Sequence, residues 1–276
     1  MKGHPLLVTR FGSTECQCIV DGLNQMTIGN VVRYICHKST YYGWLPQTAE
    51  KMEELSGFYP PTEENMLRFR DLILEALPYI DILASWMRQE KCFEKYYQNW
   101  MNMPKCRLRD LESFRFNNPW TAALKGKKVL VVHPFEETIK HQWKNREKLF
   151  ENKDVLPEFE LITLKAVQSI AGNRPKEYPT WFDALEAMER QIDTIDFDVA
   201  LIGCGAYGMP LAAYCKRKGK QAIHMGGALQ YLFGIKSKRA DESNPEIAAL
   251  YNDYWIRPLP EDRPVGLEKV EGGCYW

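Results

Sequence analysis

The sequence has no excess of either charge and no uninterrupted apolar run, and each absence argues against a class of protein. Its 36 lysines and arginines are balanced by 36 aspartates and glutamates among 276 residues, so the formal net charge is zero. Broad nucleic-acid binding needs a surplus of positive charge, so we expect no nucleic-acid partner. The uncharged stretch Val199–Cys215 contains three glycines and Pro210, which argues against a membrane span.

The eight cysteines include no C-x-x-C pair and no spacing typical of a zinc site. Dispersed cysteines of this kind are typical of reduced, mostly buried thiols in a cytosolic protein. The apolar segment Leu6–Val8 is too short for a signal peptide, and Arg10 follows it closely. We therefore expect a cytoplasmic protein.

What the sequence does contain is a glycine-rich segment from Asp198 to Arg239. Val199–Ile202 is apolar without alternation, which predicts a strand buried on both faces of a parallel sheet. Gly203, Gly205 and Gly208 follow in a G-x-G-x-x-G pattern that leads into a predicted helix. Glycines at such a turn let backbone N–H groups approach an anion, and the helix N-terminus adds positive potential.

A second unit of the same kind follows immediately. The predicted strand Gln221–His224 is followed by Gly226, Gly227 and a short helix over Ala228–Phe233. Two consecutive strand–turn–helix units are typical of the phosphate-binding edge of an α/β sheet.

Strands and helices alternate from about residue 60 onward, which predicts an α/β fold. We expect a Rossmann-like doubly wound, mainly parallel sheet in a single domain spanning 1–276. A partly helical, aromatic insertion occupies 16–60 in this scheme, and 240–276 forms a C-terminal tail with a surface helix and an extended part. The other predicted strands are 5–11, 80–85, 127–132 and 159–164, with a short strand and loop over 107–116. The other predicted helices are 63–77, 88–100, 119–124, 136–150 and 181–195. Ser13, Thr62 and Thr180 are expected to cap the helices that follow them.

Ligands of doubly wound sheets bind in the crevice beyond the carboxyl ends of the strands. The predicted strand ends therefore define the candidate site before any family is considered. These ends are Arg10–Glu15, Ser85-Trp86, His133–Phe135, Lys165–Gln168, Gly203–Gly208 and His224–Gly227.

The G-x-G-x-x-G pattern has three interpretations. It matches the dinucleotide fingerprint, but that fingerprint also requires an acidic residue at the end of the next strand, where this chain has His224 and Met225. The glycines could instead serve only tight turns and close packing of helix on strand. Binding of a phosphate or nucleotide other than NAD is the interpretation that the pattern favours.

The charged and imidazole side chains at the strand ends also have structural alternatives. Glu15 could act on a metal or as a base, or could merely favour the dipole of the helix that begins near Thr14. Arg10 could bind a phosphate or pair with Glu15. His133 and His224 could contact a ligand or be hydrogen-bonded at the rim of the core.

Four segments together resemble the GT-D-type glycosyltransferases, bacterial enzymes with a Rossmann-like fold and a nucleotide-sugar donor. The turn RFGSTE at Arg10–Glu15 resembles the family's F-G-D-G-E turn. KKVLVVHPFEETI and FELITLKAVQSIAG are similar to its middle segments, and DVALIGCGAYGMPLAAYCKRKGKQAIHMGG is similar to its C-terminal signature. The resemblance is clearest over residues 6–15 and 125–234. It implies transfer of a sugar from a nucleoside diphosphate donor to a glycan or polysaccharide precursor.

The resemblance also implies roles for individual residues. Ser13 and Glu15 occupy the positions of the family's catalytic Asp-x-Glu pair, so Glu15 is expected to be a metal ligand or the acceptor base. Serine is a poor ligand for divalent cations, so the change predicts weak or absent dependence on Mn²⁺ or Mg²⁺. If Glu15 has no such role, Glu136 and Glu137 are the next candidates. The residues assigned to the nucleotide sugar are Arg10, Gly12, His133, Lys165, Gln168, Gly203, Gly205, Tyr207, Gly208, His224, Gly226 and Gly227.

Two other functions remain open. One is an NAD-dependent oxidoreductase, based on the glycine fingerprint. The other is a protein that binds a nucleotide or sugar phosphate without catalysis, based on Ser13 in place of the family aspartate.

Overall fold

The computed structural model describes residues 4–23, 28–37 and 46–276, which form an α/β fold around one sheet. Its strands are β1 (Leu7–Thr9), β2 (Ile82–Ser85), β3 (Lys105–Arg107), β4 (Lys128–His133), β5 (Glu160–Lys165), β6 (Val199–Ile202) and β7 (Gln221–His224). They lie in the order β3-β2-β1-β7-β6-β4-β5, and each neighbouring pair is parallel. The predicted Rossmann-like, doubly wound class is confirmed, and the sheet is parallel throughout the described ranges.

The central strands are buried because their sequences are continuously apolar. In β4, Val129 and Val131 pack into one core, whereas Leu130 and Val132 pack into another. All four residues of β6 are buried as well. Successive side chains of a strand point to opposite faces, so an unbroken apolar run suits a strand with helices on both faces.

Helices cover both faces of the sheet. The α-helices are α1 (Ser13–Leu23), α2 (Ile28–Ile35), α3 (Pro46–Glu54), α4 (Glu63–Ala76), α5 (Glu136–Trp143), α6 (Arg146–Leu149), α7 (Trp181–Asp193), α8 (Gly208–Arg217), α9 (Ala228–Leu232), α10 (Lys238–Ser243) and α11 (Pro245–Ala248). The 3₁₀ turns are Leu77–Tyr79, Arg88–Lys95, Trp100–Asn102, Leu108–Leu111, Ser113–Arg115, Trp120–Leu124, Ile170–Gly172, Gly205–Tyr207, Pro260–Asp262 and Leu267–Lys269. Helices α1, α3, α4, α7 and α8 share one core, and α5, α6, α9, α10 and α11 share the other. No helix in the described ranges is long and apolar enough to cross a membrane.

Side-chain caps fix the starts of two long helices where the sequence predicts them. Thr62 Oγ1 accepts a hydrogen bond from the backbone N–H of Asn65 at the start of α4. At the start of α7, Thr180 Oγ1 accepts from the Asp183 N–H, and the Asp183 carboxylate accepts from the Thr180 N–H at 2.8 Å. These contacts satisfy backbone donors that have no partner within a helix, so both predicted caps are confirmed.

Some predicted boundaries are wrong. The helix predicted over 88–100 is a pair of 3₁₀ turns, and the one predicted over 136–150 is divided into α5 and α6. Helix α1 begins at Ser13 itself, so Ser13 is its first residue rather than its cap. The insertion is partly helical as predicted, but its aromatic loop at 41–44 lies outside the described residues.

The C-terminal segment is not an extended tail. After α10 and α11 it packs back across the second face of the sheet, where the Trp255 indole donates a hydrogen bond to the Leu149 carbonyl at 3.0 Å. The buried Asp262 carboxylate accepts from both the N–H and the hydroxyl of Thr138, each at 2.7 Å. These contacts return the end of the chain to the carboxyl edge of the sheet.

The connections that leave β1 and β7 diverge. Strand β1 leads to α1 on one face, and its neighbour β7 leads to α9 on the other face. Between adjacent strands whose connections separate in this way, a doubly wound sheet leaves a crevice at the carboxyl ends. The candidate site lies there.

Candidate functional site

A cleft of about 200 Å³ lies beyond the carboxyl ends of the strands. Segments that follow β1, β2, β4, β5, β6 and β7 all contribute to its wall, as the strand-end argument predicts. The predicted site residues that line it are Arg10, Gly12, Ser13, Glu15, His133, Gln168, Gly203, Gly205, Tyr207, His224, Gly226 and Gly227. The strand-end argument therefore predicts the position of the cleft.

Two predicted site residues, Lys165 and Gly208, are not in the cleft wall. The Lys165 ammonium lies 3.5 Å from the buried carboxylate of Asp262, on the segment that crosses the second face. A Cβ at Gly208 would overlap the imidazole of His224. Gly208 therefore serves close packing of α8 against the end of β7, which is the structural alternative for that glycine.

Arg10 is one of two arginines in the described cleft wall. Its Nε is buried without a hydrogen-bond partner, and its guanidinium forms no ion pair with any carboxylate in the described part of the chain. Gly226 makes room for it, because a Cβ there would lie 2.9 Å from the Arg10 Nε. Gly226 also has a φ of +59°, which favours glycine. The alternative in which Arg10 pairs with Glu15 is therefore wrong.

Glu15 lies in the first turn of α1 and turns back toward the strand. A Cβ at Gly12 would overlap the Glu15 carboxylate and would lie 3.1 Å from Nη1 of Arg10. Within the residues that the structure describes, this carboxylate accepts no hydrogen bond and forms no ion pair. Glu15 and Arg10 thus lie close to each other at Gly12, and neither forms an ion pair within the described ranges.

The other candidate carboxylates are paired outside the cleft. Glu136 accepts a hydrogen bond from the Thr163 hydroxyl at 2.7 Å and lies 3.2 Å from Lys140. Glu137 lies 2.9 Å from the same ammonium, and the pKa of its carboxyl is lowered chiefly by that hydrogen bond. Neither one lines the cleft, so neither is placed to take the role of Glu15 there.

The first glycine turn is partly covered by the insertion. The backbone N–H of Ala206 donates to the Ser56 carbonyl at 3.3 Å, and a Cβ at Gly205 would lie 3.0 Å from that oxygen. Gly205 also has a φ of +56°. A Gly205→Val change would therefore strain the fold itself, so its effect on ligand affinity could not be separated from its effect on folding.

The two histidines at the cleft are buried and neutral. Burial lowers the pKa of His133 from 6.5 to about 3, and burial followed by the nearby Arg10 charge lowers the pKa of His224 to about 3. His133 Nδ1 accepts a hydrogen bond from the Phe135 N–H at 2.9 Å, which leaves the proton on Nε2. His224 Nδ1 lies 3.1 Å from the Thr9 hydroxyl. Both therefore match the hydrogen-bonded alternative, and neither supplies positive charge.

This burial predicts acid sensitivity. The unfolded chain binds protons at both histidines near pH 6.5, whereas the folded chain excludes them until about pH 3. The free energy of unfolding should therefore decrease as the pH is lowered from 6.5, by at most about 1.4 kcal/mol per pH unit for each histidine. Denaturant titrations between about pH 7 and pH 5 measure this slope. His133→Asn keeps an acceptor for the Phe135 N–H and should remove about half of the slope, whereas an unchanged slope would contradict the assignment.

The sequence did not predict the part of the wall that comes from the C-terminal segment. Arg239 lines the cleft together with Glu271, Tyr275 and Trp276. Its guanidinium pairs with Glu271 and lies 4.6 Å from the centre of the Tyr275 ring. The aromatic composition of the last residues was the available signal, but composition does not tell where a segment packs.

The described residues contain no cluster of three or more His, Cys, Asp or Glu side chains that could hold a metal ion. Glu15 is the one acidic residue in the first turn of α1, and Ser13 lies two positions before it. All eight cysteines are free, and burial raises the pKa of the Cys204 thiol at the cleft, which disfavours a reactive thiolate.

In the described cleft wall, the Arg10 guanidinium and the Glu15 carboxylate form no ion pair, whereas the Ser169 hydroxyl already donates to the Gly57 carbonyl at 2.6 Å. This arrangement can hold an anion and can accept a proton from a neighbouring hydroxyl. Comparison of the chain with family models, with curated proteins and with solved structures gave no match.

Proposed function

We propose that this chain binds a nucleoside diphosphate-sugar in the cleft and transfers the sugar to a hydroxyl of a glycan or polysaccharide precursor. The observation that carries the proposal is the Arg10 guanidinium, which lies at the carboxyl edge of the sheet without an anionic partner in the described ranges. The guanidinium forms no ion pair within the described ranges, and a diphosphate, which carries more negative charge than the nearby Glu15 carboxylate, would supply one.

Backbone donors around Arg10 support an anion at this position. No acceptor within the described part of the chain takes the N–H groups of Gly12, Gly226 or Gly227. Helix α1 begins at Ser13, so its N-terminal N–H groups face the same edge and add positive potential. A diphosphate held between the β1 and β7 turns would be bound by these donors together with Arg10.

Glu15 provides the chemistry in this proposal. During transfer, the bond between the anomeric carbon and the diphosphate oxygen breaks while a bond to the acceptor oxygen forms. The acceptor proton passes to the Glu15 carboxylate, and Arg10 with the N–H donors stabilises the negative charge on the leaving diphosphate.

The size of the cleft limits how the donor lies. Its volume of about 200 Å³ is below the ~300–1,000 Å³ of typical small-molecule sites. The diphosphate therefore occupies the enclosed part, and the rest of the donor extends along the wall toward the half-exposed Trp86.

A dinucleotide cofactor is a weaker proposal for this cleft. The end of β7 carries His224, buried and bonded to Thr9, where an NAD site needs an acidic group for the ribose. Binding of a nucleotide sugar without catalysis is the stronger second candidate, because Ser13 stands where the resembling family has an aspartate. Turnover measurements separate it from the transferase.

The proposal predicts donor binding that does not require a divalent metal. We expect nucleoside diphosphates and nucleotide sugars to raise the melting temperature equally with chelator or with Mn²⁺, because Glu15 is the one acidic residue in the first turn of α1. A ligand at a hundred times its dissociation constant should add about 2.7 kcal/mol of stability. Ser13→Asp restores a carboxylate pair and should introduce dependence on Mn²⁺. Binding that is lost with chelator and restored by Mn²⁺ in the parent protein would contradict this expectation.

A further inference from the structure

Trp86 combines an exposed ring with a fixed position. Its side chain is 46% exposed and lines the cleft just after β2. Its indole N–H donates to the carbonyl of Phe11 at 2.9 Å. Phe11 is itself buried and stacks on Phe93, with ring centres 4.8 Å apart. The indole is therefore held by a core residue while much of its surface remains open.

The backbone beneath the indole is held as well. Glu90, which is 2% exposed, accepts hydrogen bonds from the N–H groups of Trp86 and Met87, each at 3.2 Å, and from the Ser85 hydroxyl. A buried carboxylate with these donors fixes the turn that carries Trp86. Glu90 is thus a positioning residue for the indole.

The order of the strands separates two kinds of wall. Phe11, which anchors the indole, lies between Arg10 and Gly12, so Trp86 adjoins the proposed diphosphate site on the β2 side. The Gln168 amide follows β5, on the other side of β1 and β7, where the Ser169 and Tyr207 hydroxyls are buried and bonded to each other. The half-exposed indole of Trp86 therefore lies on one side of the diphosphate position, and the other side combines the Gln168 amide with the less exposed rings of Tyr275 and Trp276.

We infer that Trp86 is the platform on which the nucleobase of the donor stacks, with the sugar directed toward the β5–β6 side. This assignment rests on the proposed function, because it places the base relative to a diphosphate at Arg10. Stacking of a base on an aromatic side chain tolerates any base, because every base has a π-face. A fixed, half-exposed indole suits such stacking because little of its conformational freedom is lost on binding.

The test compares ligands with and without a base. Calorimetric titrations with UDP, GDP and inorganic diphosphate would be carried out on the parent protein and on Trp86→Ala. We expect affinity for the better-bound nucleotide to fall by roughly 5- to 150-fold, which corresponds to the usual loss for one stacked base. Affinity for inorganic diphosphate should be unchanged, and UDP-sugars should weaken by the same factor as UDP.

Two further variants control for the fold and for the nature of the contact. Trp86→Phe keeps an aromatic face without the bond to Phe11 and should retain most of the affinity. Tyr96→Ala truncates an aromatic side chain that is 49% exposed and outside the cleft, and should change nothing. Nucleotide affinity of Trp86→Ala equal to that of the parent, or an equal loss for inorganic diphosphate, would overturn the assignment alone. Absence of nucleotide binding by the parent protein would instead overturn the proposed function.

Discussion

Arg10→Gln is expected to weaken nucleoside diphosphate binding by roughly 10- to 150-fold, since hydrogen bonds to charged groups contribute about 1.5–3 kcal/mol each. Glutamine keeps part of the side-chain stem and one donor group but removes the positive charge. The parent guanidinium forms no ion pair within the described residues, so the substitution breaks no salt bridge. Folding stability should therefore change little, and the loss should appear in titration with nucleoside diphosphate.

Lys165→Gln provides the matched control. Lys165 is also a cation at the carboxyl end of a strand, but it lies outside the cleft and pairs with Asp262. Its substitution should leave nucleotide affinity at the parental value. If both variants lose the same affinity, the effect comes from the general charge of this edge and not from a site at Arg10. Retention of full affinity by Arg10→Gln would exclude Arg10 from the phosphate site.

The sheet could be predicted because its signal is local. The continuous apolar runs of β4 and β6 each indicate a buried parallel strand without knowledge of their neighbours. Strand ends then follow from the same runs, and the rule for doubly wound sheets places those ends along one edge. The strand-end rule therefore predicts most of the cleft wall, including Arg10, His133 and Gly226.

Contacts between distant segments could not be predicted from the sequence. Ser56 covers the first glycine turn from the insertion, and Trp276 reaches the cleft from the end of the chain. Neither contact has a periodicity or spacing that marks it, because each depends on how a loop packs on the finished sheet. The same limit explains Lys165, whose position at a strand end suggested a ligand contact although its side chain reaches Asp262.

The sequence also does not show which charged side chains are paired, and the structure does. In the sequence, Glu15 and Glu136 are equivalent acidic residues in the first turn of a helix after a strand. In the fold, Glu136 meets Thr163 and Lys140, whereas Glu15 lies over Gly12 at the cleft. Glu15 is therefore the carboxylate whose removal is most informative.

Glu15→Gln is expected to reduce sugar transfer by roughly a hundredfold or more, a common contribution of a general base. The amide keeps the size of the carboxylate, and the absence of a Cβ at Gly12 leaves the same space for it. Only the charge and the capacity to accept a proton are lost. Turnover and donor affinity should be measured beside the parent protein at matched stability.

The pattern of the two measurements identifies the role. A base gives reduced turnover with nearly parental donor affinity, whereas a metal ligand on the diphosphate gives weakened donor binding as well. If Glu15 serves only the dipole of α1, Glu15→Gln should lower the free energy of unfolding by well under about 1 kcal/mol and should leave activity unchanged. Glu136→Gln is the control, because that carboxylate lies outside the cleft and its loss should leave turnover unchanged. Near-parental turnover in Glu15→Gln would remove the proposed base. Since Glu271, the other carboxylate of the described cleft wall, pairs with Arg239, that result would favour binding without catalysis.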